Sequence, residues 1–485
     1  MNSNTSNIPN TKDKVNKILM VTAFPTYGAG SGVQVTALAK SYQKEGKDVA
    51  IITGNNRTEF DKIPGVKYHM VPFTSEEEKP EKIPGQCDFN YLMFTTHTES
   101  TANFWNANLE QIKEYELAFK KAINEEVKEF KPDVIHGQHN WISTAIATET
   151  GVPTIVTIHG TDLMGFERSK KELAKVRQEL KNAKDPKEIQ RLKDEETKYN
   201  KYIEYSNCSA INAKKIIVIS EAQREEFARL FPIAASKVEL VENGYDTEKF
   251  YVDKTASKEE TIGQLVSQNT ADGKIPLDYD KLVTFVGKFA DFKGIDVLLD
   301  AAKDYEQRMQ KNGKKVATVI VGSGQLEEQL KKQAHDLALK NTHFVGRKNS
   351  DEVRKIQSLS DVSLIPSRNE PFGLVVIEGM ACGHPVIGTN AGGIPGILNI
   401  NKEDISDKTK TYVTPVGVLV PMDNSEALSS AVCDVLDEKV KFNNDFIVNY
   451  TKEHYAQEEI TKHILNIFEE AVSESNKEKN FEEEK

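Results

Sequence analysis

Ten short apolar runs, each rich in valine and isoleucine, punctuate this chain. KILMVTAF, DVAIIT, DVIHG, PTIVTIH and KIIVIS come before residue 246; LVTFVGKF, ATVIVGSG, THFVG, DVSLIPS and PVIGT come after residue 280. Amphipathic helical patterns lie between some of them, for example Val33 to Glu45 and Gln111 to Phe130. A strand buried on both faces reads as a continuous apolar run, and parallel strands need long crossovers, usually helices. The alternation therefore predicts an α/β chain of parallel sheets with helices on both faces. The pattern pauses between about Asp246 and Lys281, where Ser, Thr, Lys, Asp and Gly are frequent. Two doubly wound Rossmann-like domains are expected, which also suits 485 residues.

The expected boundaries are a disordered tail over 1–16, a first domain over 17–245, a linker over 246–280 and a second domain over 281–450. A helix over 451–472 would pack back on the first domain, followed by a charged, disordered tail over 473–485. Within the first domain, about 166–205 is lysine- and glutamate-rich. Leu173, Val176, Leu180 and Ala183 follow heptad-like spacing, Asp185-Pro186 breaks the run, and Ile189, Leu192, Tyr199 and Ile203 resume it. This predicts an inserted helical hairpin. It reads either as a solvated helix pair or as an element for peripheral membrane or protein contact. Twelve Lys/Arg against nine Asp/Glu from Glu167 to Glu204 leave only a small basic excess.

A formal net charge of −11 argues against a nucleic-acid partner, which needs a strong basic patch. The four cysteines, Cys87, Cys208, Cys382 and Cys433, are far apart with no C-x-x-C pair, which argues against a disulfide framework or a zinc site. No run approaches 18 consecutive apolar residues. A cytoplasmic protein is the expectation.

The chemistry concentrates in DVSLIPSRNEPFGLVVIEGMACGHPVIGTNAGGIPG, Asp361 to Gly396. It reads as a strand, a tight turn at Pro371-Phe372-Gly373, a helix from about Leu374 and a second strand. Glu370 and Glu378 bracket the turn with seven residues between them. Open α/β sheets bind ligands at the carboxyl ends of their strands, and helix N-termini offer free N–H groups to anions. Carboxylates accept sugar and ribose hydroxyls, so the stretch has the parts for a sugar on a diphosphate.

Other segments are weaker alone. PTYGAGSGVQV places Gly28, Gly30 and Gly32 between a strand and a helix expected from about Val33, either to admit a ligand or only to turn the chain. The loop is not G-x-G-x-x-G, and no acidic residue ends the next strand, which weakens a dinucleotide reading. Lys288 and Lys293 in VGKFADFKG read as solvated surface or as charges facing a diphosphate. His159, ending PTIVTIH, reads as a structural or an active-site histidine, and His136 and His139 could line the same cleft. No acidic residue follows them at metal-ligand spacing. Asp88 to Trp105, with His97 and Glu99, is a candidate acceptor loop or a local packing cluster.

Taken together, Ser367 to Gly396, VGKFADFKG, VISEAQREEFARLF with VELVENGYDTEKF, and the glycine loop resemble the retaining GT-B glycosyltransferases of family 4 (glycosyltransferase group 1). The resemblance covers about residues 17 to 470. It implies two domains facing across a cleft, with transfer of a sugar from a nucleoside-diphosphate sugar, UDP-linked by expectation, to an acceptor hydroxyl. It implies that Glu370 contacts the donor sugar and Glu378 the ribose. The turn Phe372, Gly373, Leu374 and Val375 would meet sugar and diphosphate, with Lys288 and Lys293 on the diphosphate. His159 would lie close to donor and acceptor, Gly30 and Gly32 beside the phosphates, and Arg347 at the base. The nucleotide-sugar is then a substrate, and neither cofactor nor metal is implied. Lys288 stands where the family has arginine, keeping the charge without the bidentate fork. Ala29 replaces the first of the usual paired glycines. The acceptor stays open between small molecule, lipid-linked and polysaccharide. Hydrolysis by the two carboxylates, epimerisation and a non-catalytic partner subunit are the competing readings.

Overall fold

A computed structural model describes residues 14–27, 30–57, 60–74, 85–95, 100–400 and 404–483. The described chain forms two compact units. The first lies within Met1–Ile219, Gln223–Val241 and Thr461–Lys485; the second lies within Glu242–Ile460 with Ser220–Ala222.

The first unit is built in the order β1 (Lys17–Thr22), α1 (Gly30–Lys44), β2 (Asp48–Asn55), β3 (Lys67–Pro72), α2 (Leu109–Phe130), β4 (Val134–Gln138), α3 (Ile142–Thr148) and β5 (Thr154–Ile158). It continues with α4 (Thr161–Asn182), α5 (Pro186–Asn212), β6 (Lys215–Val218), α6 (Glu221–Leu230) and β7 (Val238–Leu240). Its seven strands are all parallel, in the order β3-β2-β1-β4-β5-β6-β7. The order reverses between β1 and β4, the place where doubly wound sheets open a crevice at their carboxyl ends. Leu19, Val21, Ile52, Ile135, Phe119 and Trp141 are buried in its main core.

The second unit runs β8 (Lys281–Val286), α7 (Ile295–Lys311), β9 (Val316–Val321), α8 (Glu327–Asp336), β10 (Thr342–Phe344), α9 (Ser350–Ser358), β11 (Val362–Ile365) and α10 (Leu374–Ala381). Then come β12 (Val386–Thr389), α11 (Ile394–Ile397), β13 (Tyr412–Val413), β14 (Gly417–Val420), α12 (Ser425–Leu436) and α13 (Asn444–Tyr455). The sheet order is β10-β9-β8-β11-β12-β14-β13, with only β13 antiparallel to its neighbour. The reversal here falls between β8 and β11. A final helix, α14 (Gln457–Glu483), leaves the second unit and, from Thr461, belongs to the first. Phe468 packs in the first unit against Tyr42 and His136, with centroids 5.8 and 5.1 Å away.

Several boundaries differ from the sequence expectation. Residues 246–280 are part of the second unit, not a linker. Asn269 binds the β10 backbone on both sides, accepting from Phe344 N–H at 3.0 Å and donating to Thr342 O at 2.8 Å, and Asp253 pairs with Arg354. The expected tail after residue 472 is helical to Glu483; Glu478 pairs with Lys214, and Glu470 and Glu474 lie within 4 Å of Lys215. Of the expected first tail, residues 1–13 lie outside the described residues, whereas Val15 is fully buried. The segment read as a hairpin lies in α4 and α5, which are 22 and 27 residues long and start and end beyond 166–205. Leu173, Val176, Leu192 and Tyr199 join the main core.

Candidate active site

Each reversal point holds polar groups. In the second unit, β11 ends in Pro366-Ser367-Arg368-Asn369-Glu370. The loop after β8 reaches it directly, because the N–H groups of Arg368 and Asn369 donate to Phe292 O at 2.8 and 3.3 Å. Arg368 clamps these segments: its guanidinium meets both carboxylate oxygens of Asp296 at 3.0 and 2.6 Å, Asp423 at 2.6 Å and the Asp291 carbonyl at 2.6 Å. This clamp fixes Lys293, whose ammonium bonds the Glu370 carboxylate. Both side chains are largely buried, 15% and 11% exposed, so the pair is dry enough to hold its geometry. The Ser367 hydroxyl lies 3.5 Å from the same carboxylate.

The turn after Glu370 leads into α10. Gly373, with φ of 116°, sits at its N-cap position, and no side chain caps the helix. The first N–H groups of α10 thus stay available to an anion. Phe372 is buried and lies 6.2 Å from the Tyr455 ring. Leu374 and Val375 are half-buried in the first turn. Across the turn, Gly393 N–H donates to Glu370 O at 3.0 Å, and Gly392 has φ of 53°.

Glu378 lies one turn into α10, half-buried and without a hydrogen-bond or ion partner among the described residues. Burial pushes its carboxyl up to about 7, with Lys249 opposing. The folded state therefore holds an extra proton on Glu378 between about pH 4.5 and 7, and its contribution to stability falls as pH rises through that window. Glu378→Gln is expected to gain on the order of 2 kcal/mol over the native chain at pH 8 and nothing at pH 4, measured by denaturant unfolding at both pH values. An equal difference at both would refute the assignment.

Lys288 is exposed on the loop after β8, and Arg347 is exposed after β10. The second unit thus brings Lys293, Glu370, the Phe372–Val375 turn and Glu378 into one contiguous segment pair.

In the first unit, Gly30 and Gly32 fall inside the first turn of α1, because the helix starts at Gly30 and not near Val33. A side chain at Gly32 would meet the Pro25 carbonyl at 2.6 Å, so the strand-to-helix turn is closely packed there; nothing lies within 4 Å of one at Gly30. Gly28 and Ala29 lie outside the described residues, as do His97 and Glu99 of the expected acceptor loop. Phe94, Phe104 and Trp105 from that loop pack in the aromatic cluster around Trp141. His159 follows β5 directly, and its Nε2 bonds Gln138 Oε1 at 2.9 Å. The His139 ring lies tilted against it with centroids 4.6 Å apart. His136 does not belong with them. It is fully buried within β4, with Tyr42 OH at 3.1 Å and Thr157 Oγ1 at 2.7 Å on its two ring nitrogens.

Sequence reasoning passed over Arg368 and Gln138. Arg368 stands two residues before Glu370, but the three carboxylates it meets, Asp291, Asp296 and Asp423, are more than 50 residues away, so only its place beside Glu370 marked it. Gln138, at the carboxyl end of the reversal-point strand, had only its position to mark it.

Two doubly wound units, the second with a carboxylate–ammonium pair before an uncapped helix, define a two-domain α/β architecture of the GT-B glycosyltransferase type. Solved structures agree on the fold. Sucrose-phosphate synthase from Thermosynechococcus elongatus has a TM-score of 0.63 at 17% identity, covering 94% of this chain and 99% of that one. Anabaena HepE in complex with UDP and glucose has 0.58 at 15%, covering 93% and 98%. The family described as "Glycosyl transferases group 1" matches residues 268–453, and "Glycosyltransferase Family 4" matches residues 28–249. The chain belongs to the group 1 glycosyltransferases of family 4 type. An uncharacterized glycosyltransferase of Methanocaldococcus jannaschii is 29% identical over 265 residues, 54% of this chain and 61% of that protein. D-inositol 3-phosphate glycosyltransferase 2 of Catenulispora acidiphila is 25% identical over 400 residues, 78% and 79%. The matched region is 61%, 30% and 62% of the length of three such relatives, less than two thirds of each. Among the described residues no helix is long and apolar enough to cross a membrane.

Proposed function

We propose that this protein is a retaining, metal-independent, cytoplasmic hexosyltransferase that moves a sugar from a UDP-sugar to an acceptor hydroxyl. The observation that carries the reading is the buried Lys293–Glu370 pair placed before the uncapped N-terminus of α10. Its chemistry suits a sugar diphosphate at each end. Glu370 accepts the sugar hydroxyls, while Lys293, Lys288 and the α10 N–H groups face the diphosphate. Glu378 accepts the ribose hydroxyls. A neighbour of the same fold in complex with UDP and glucose supports the choice of donor.

In this reading the bond from the anomeric carbon to the phosphate oxygen breaks, and its electron pair leaves with UDP. The acceptor oxygen forms its bond on the same face, and its proton passes to the departing phosphate. The transition state resembles an oxocarbenium ion beside a growing negative charge. Fixed cationic groups lower that barrier because they need no reorganisation as the charge appears.

The test is nucleotide release from UDP-, GDP- and ADP-sugars without added acceptor. UDP release from one donor, unchanged by EDTA, is the expected result. Release of GDP or ADP instead would overturn the donor assignment, and loss of activity with EDTA the metal-independent one. No release and no UDP binding would favour a non-catalytic partner subunit.

A further inference from the structure

The reversal point of the first unit carries an arrangement that the scheme above leaves unused. Gln138 ends β4 and is fully buried. Its Oε1 meets His159 Nε2, while its own Nε2 has no partner among the described residues. The next residue, His139, is 1% exposed and has φ of 75°. A left-handed backbone costs a residue with a Cβ about 1–3 kcal/mol and persists only where the surroundings enforce it. Here they do. His139 N–H donates to Thr157 O on β5 at 2.9 Å, and Asn140 N–H donates to Asp162 Oδ2 at 2.8 Å. The enforced turn lays the His139 ring against the His159 ring and against Phe24, 5.0 Å away at the end of β1.

These surroundings select one state of His159. The titratable groups around it are His139, whose ring is tilted against it, His136 in β4, and Asp162, in the first turn of α4. Burial pushes both His139 and His159 down to about 3, and His139 opposes a charge on His159. Asp162 favours a charge but is itself buried, with its carboxyl raised and committed to the N–H groups of Asn140 and Leu163. A carboxylate on the imidazole N–H would stabilise the imidazolium; the neutral amide of Gln138 does so far less. An oxygen acceptor at Nε2 also places the ring's single proton there. Nδ1 then keeps a lone pair, and it has no partner among the described residues.

We propose that Gln138 is a positioning residue for the transfer: with His139 it holds His159 as a neutral imidazole protonated at Nε2, whose Nδ1 accepts a hydrogen bond from a substrate hydroxyl. His159 thus orients a hydroxyl and does not take its proton. The role of the hydroxyl rests on the transferase reading; the state of the ring does not depend on it.

The full chain labelled with ring-15N histidine tests the state directly, with His159→Gln identifying the signals. A neutral ring with Nε2 protonated, unchanged from pH 8 to pH 5, is expected. An imidazolium, or a proton on Nδ1, overturns the proposal. Gln138→Glu puts a carboxylate on the ring. The His159 midpoint should then rise by about two pH units or more, and nucleotide release should fall at least ~10-fold as the ring charges. A variant with the native titration and pH profile would overturn the positioning role. A neutral Nε2–H ring in a chain that releases no nucleotide would sink the transferase reading alone.

Discussion

Glu370→Ala should lower nucleotide release from the preferred donor by about 10³-fold, mostly in kcat. Two effects would act together. The carboxylate that accepts the sugar hydroxyls disappears, and Lys293 loses its partner inside a pocket where it is 15% exposed. An unpaired, largely buried ammonium costs about 3 kcal/mol if it cannot reach water, so part of the loss could come from a displaced lysine. Lys293→Met separates the two. Alone it should cost about 10²-fold, because the diphosphate loses one cation. In the double variant Glu370→Ala/Lys293→Met the displaced lysine is absent. If Glu370 acts on the sugar, the double variant is no faster than Glu370→Ala. Recovery to the Lys293→Met level in the double variant would show that Glu370 only restrains Lys293, and would remove it from the donor site.

The second large effect is expected from Gly392→Ala. Gly392 has φ of 53°, and a Cβ there would fall on the carbonyl oxygen of Glu370. The neighbouring Gly393 N–H holds that same carbonyl at 3.0 Å. The added methyl therefore meets backbone, which cannot swing aside as a flexible side chain would. The site must either distort or lose the Gly393 bond. A loss of about 3 kcal/mol in unfolding free energy is expected, with donor release reduced even in the folded fraction because Glu370 shifts. Gly46→Ala is the control: Gly46 has φ of 73° but open space around it, so it carries only the backbone cost. Equal losses in the two variants would mean that the close approach at Gly392 contributes nothing.

What the sequence disclosed follows from how each signal is encoded. The parallel strands were legible because burial on both faces writes an unbroken apolar run, as in Ile18–Val21 and Val134–Ile135. β3 was not, because Lys67–Met70 are exposed or half-buried and read as polar. β7 and β13 have three and two residues, too few for any period. Residues 246–280 have the composition of a linker, but Asn269 and Asp253 attach them through bonds to residues about 70 to 100 positions away. The charged stretch after Val472 reads as unstructured until Lys214 and Lys215 are seen opposite its glutamates. The candidate donor-side residues from Glu370 to Glu378 were legible because they occupy one contiguous stretch. Gly392 and Gln138 act through neighbours distant in sequence, so nothing local distinguished them.

One feature of the first unit offers a practical handle. α4 begins beside His159 and runs for 22 residues to Asn182, about 33 Å along its axis. Beyond it, Lys184 and Asp185 are exposed. A rotation of ~5° at the anchored end would carry the far end through ~3 Å at that length. A spin label on Lys184→Cys would therefore register any rotation of α4 that accompanies substrate arrival near His159, far from the groups around that ring.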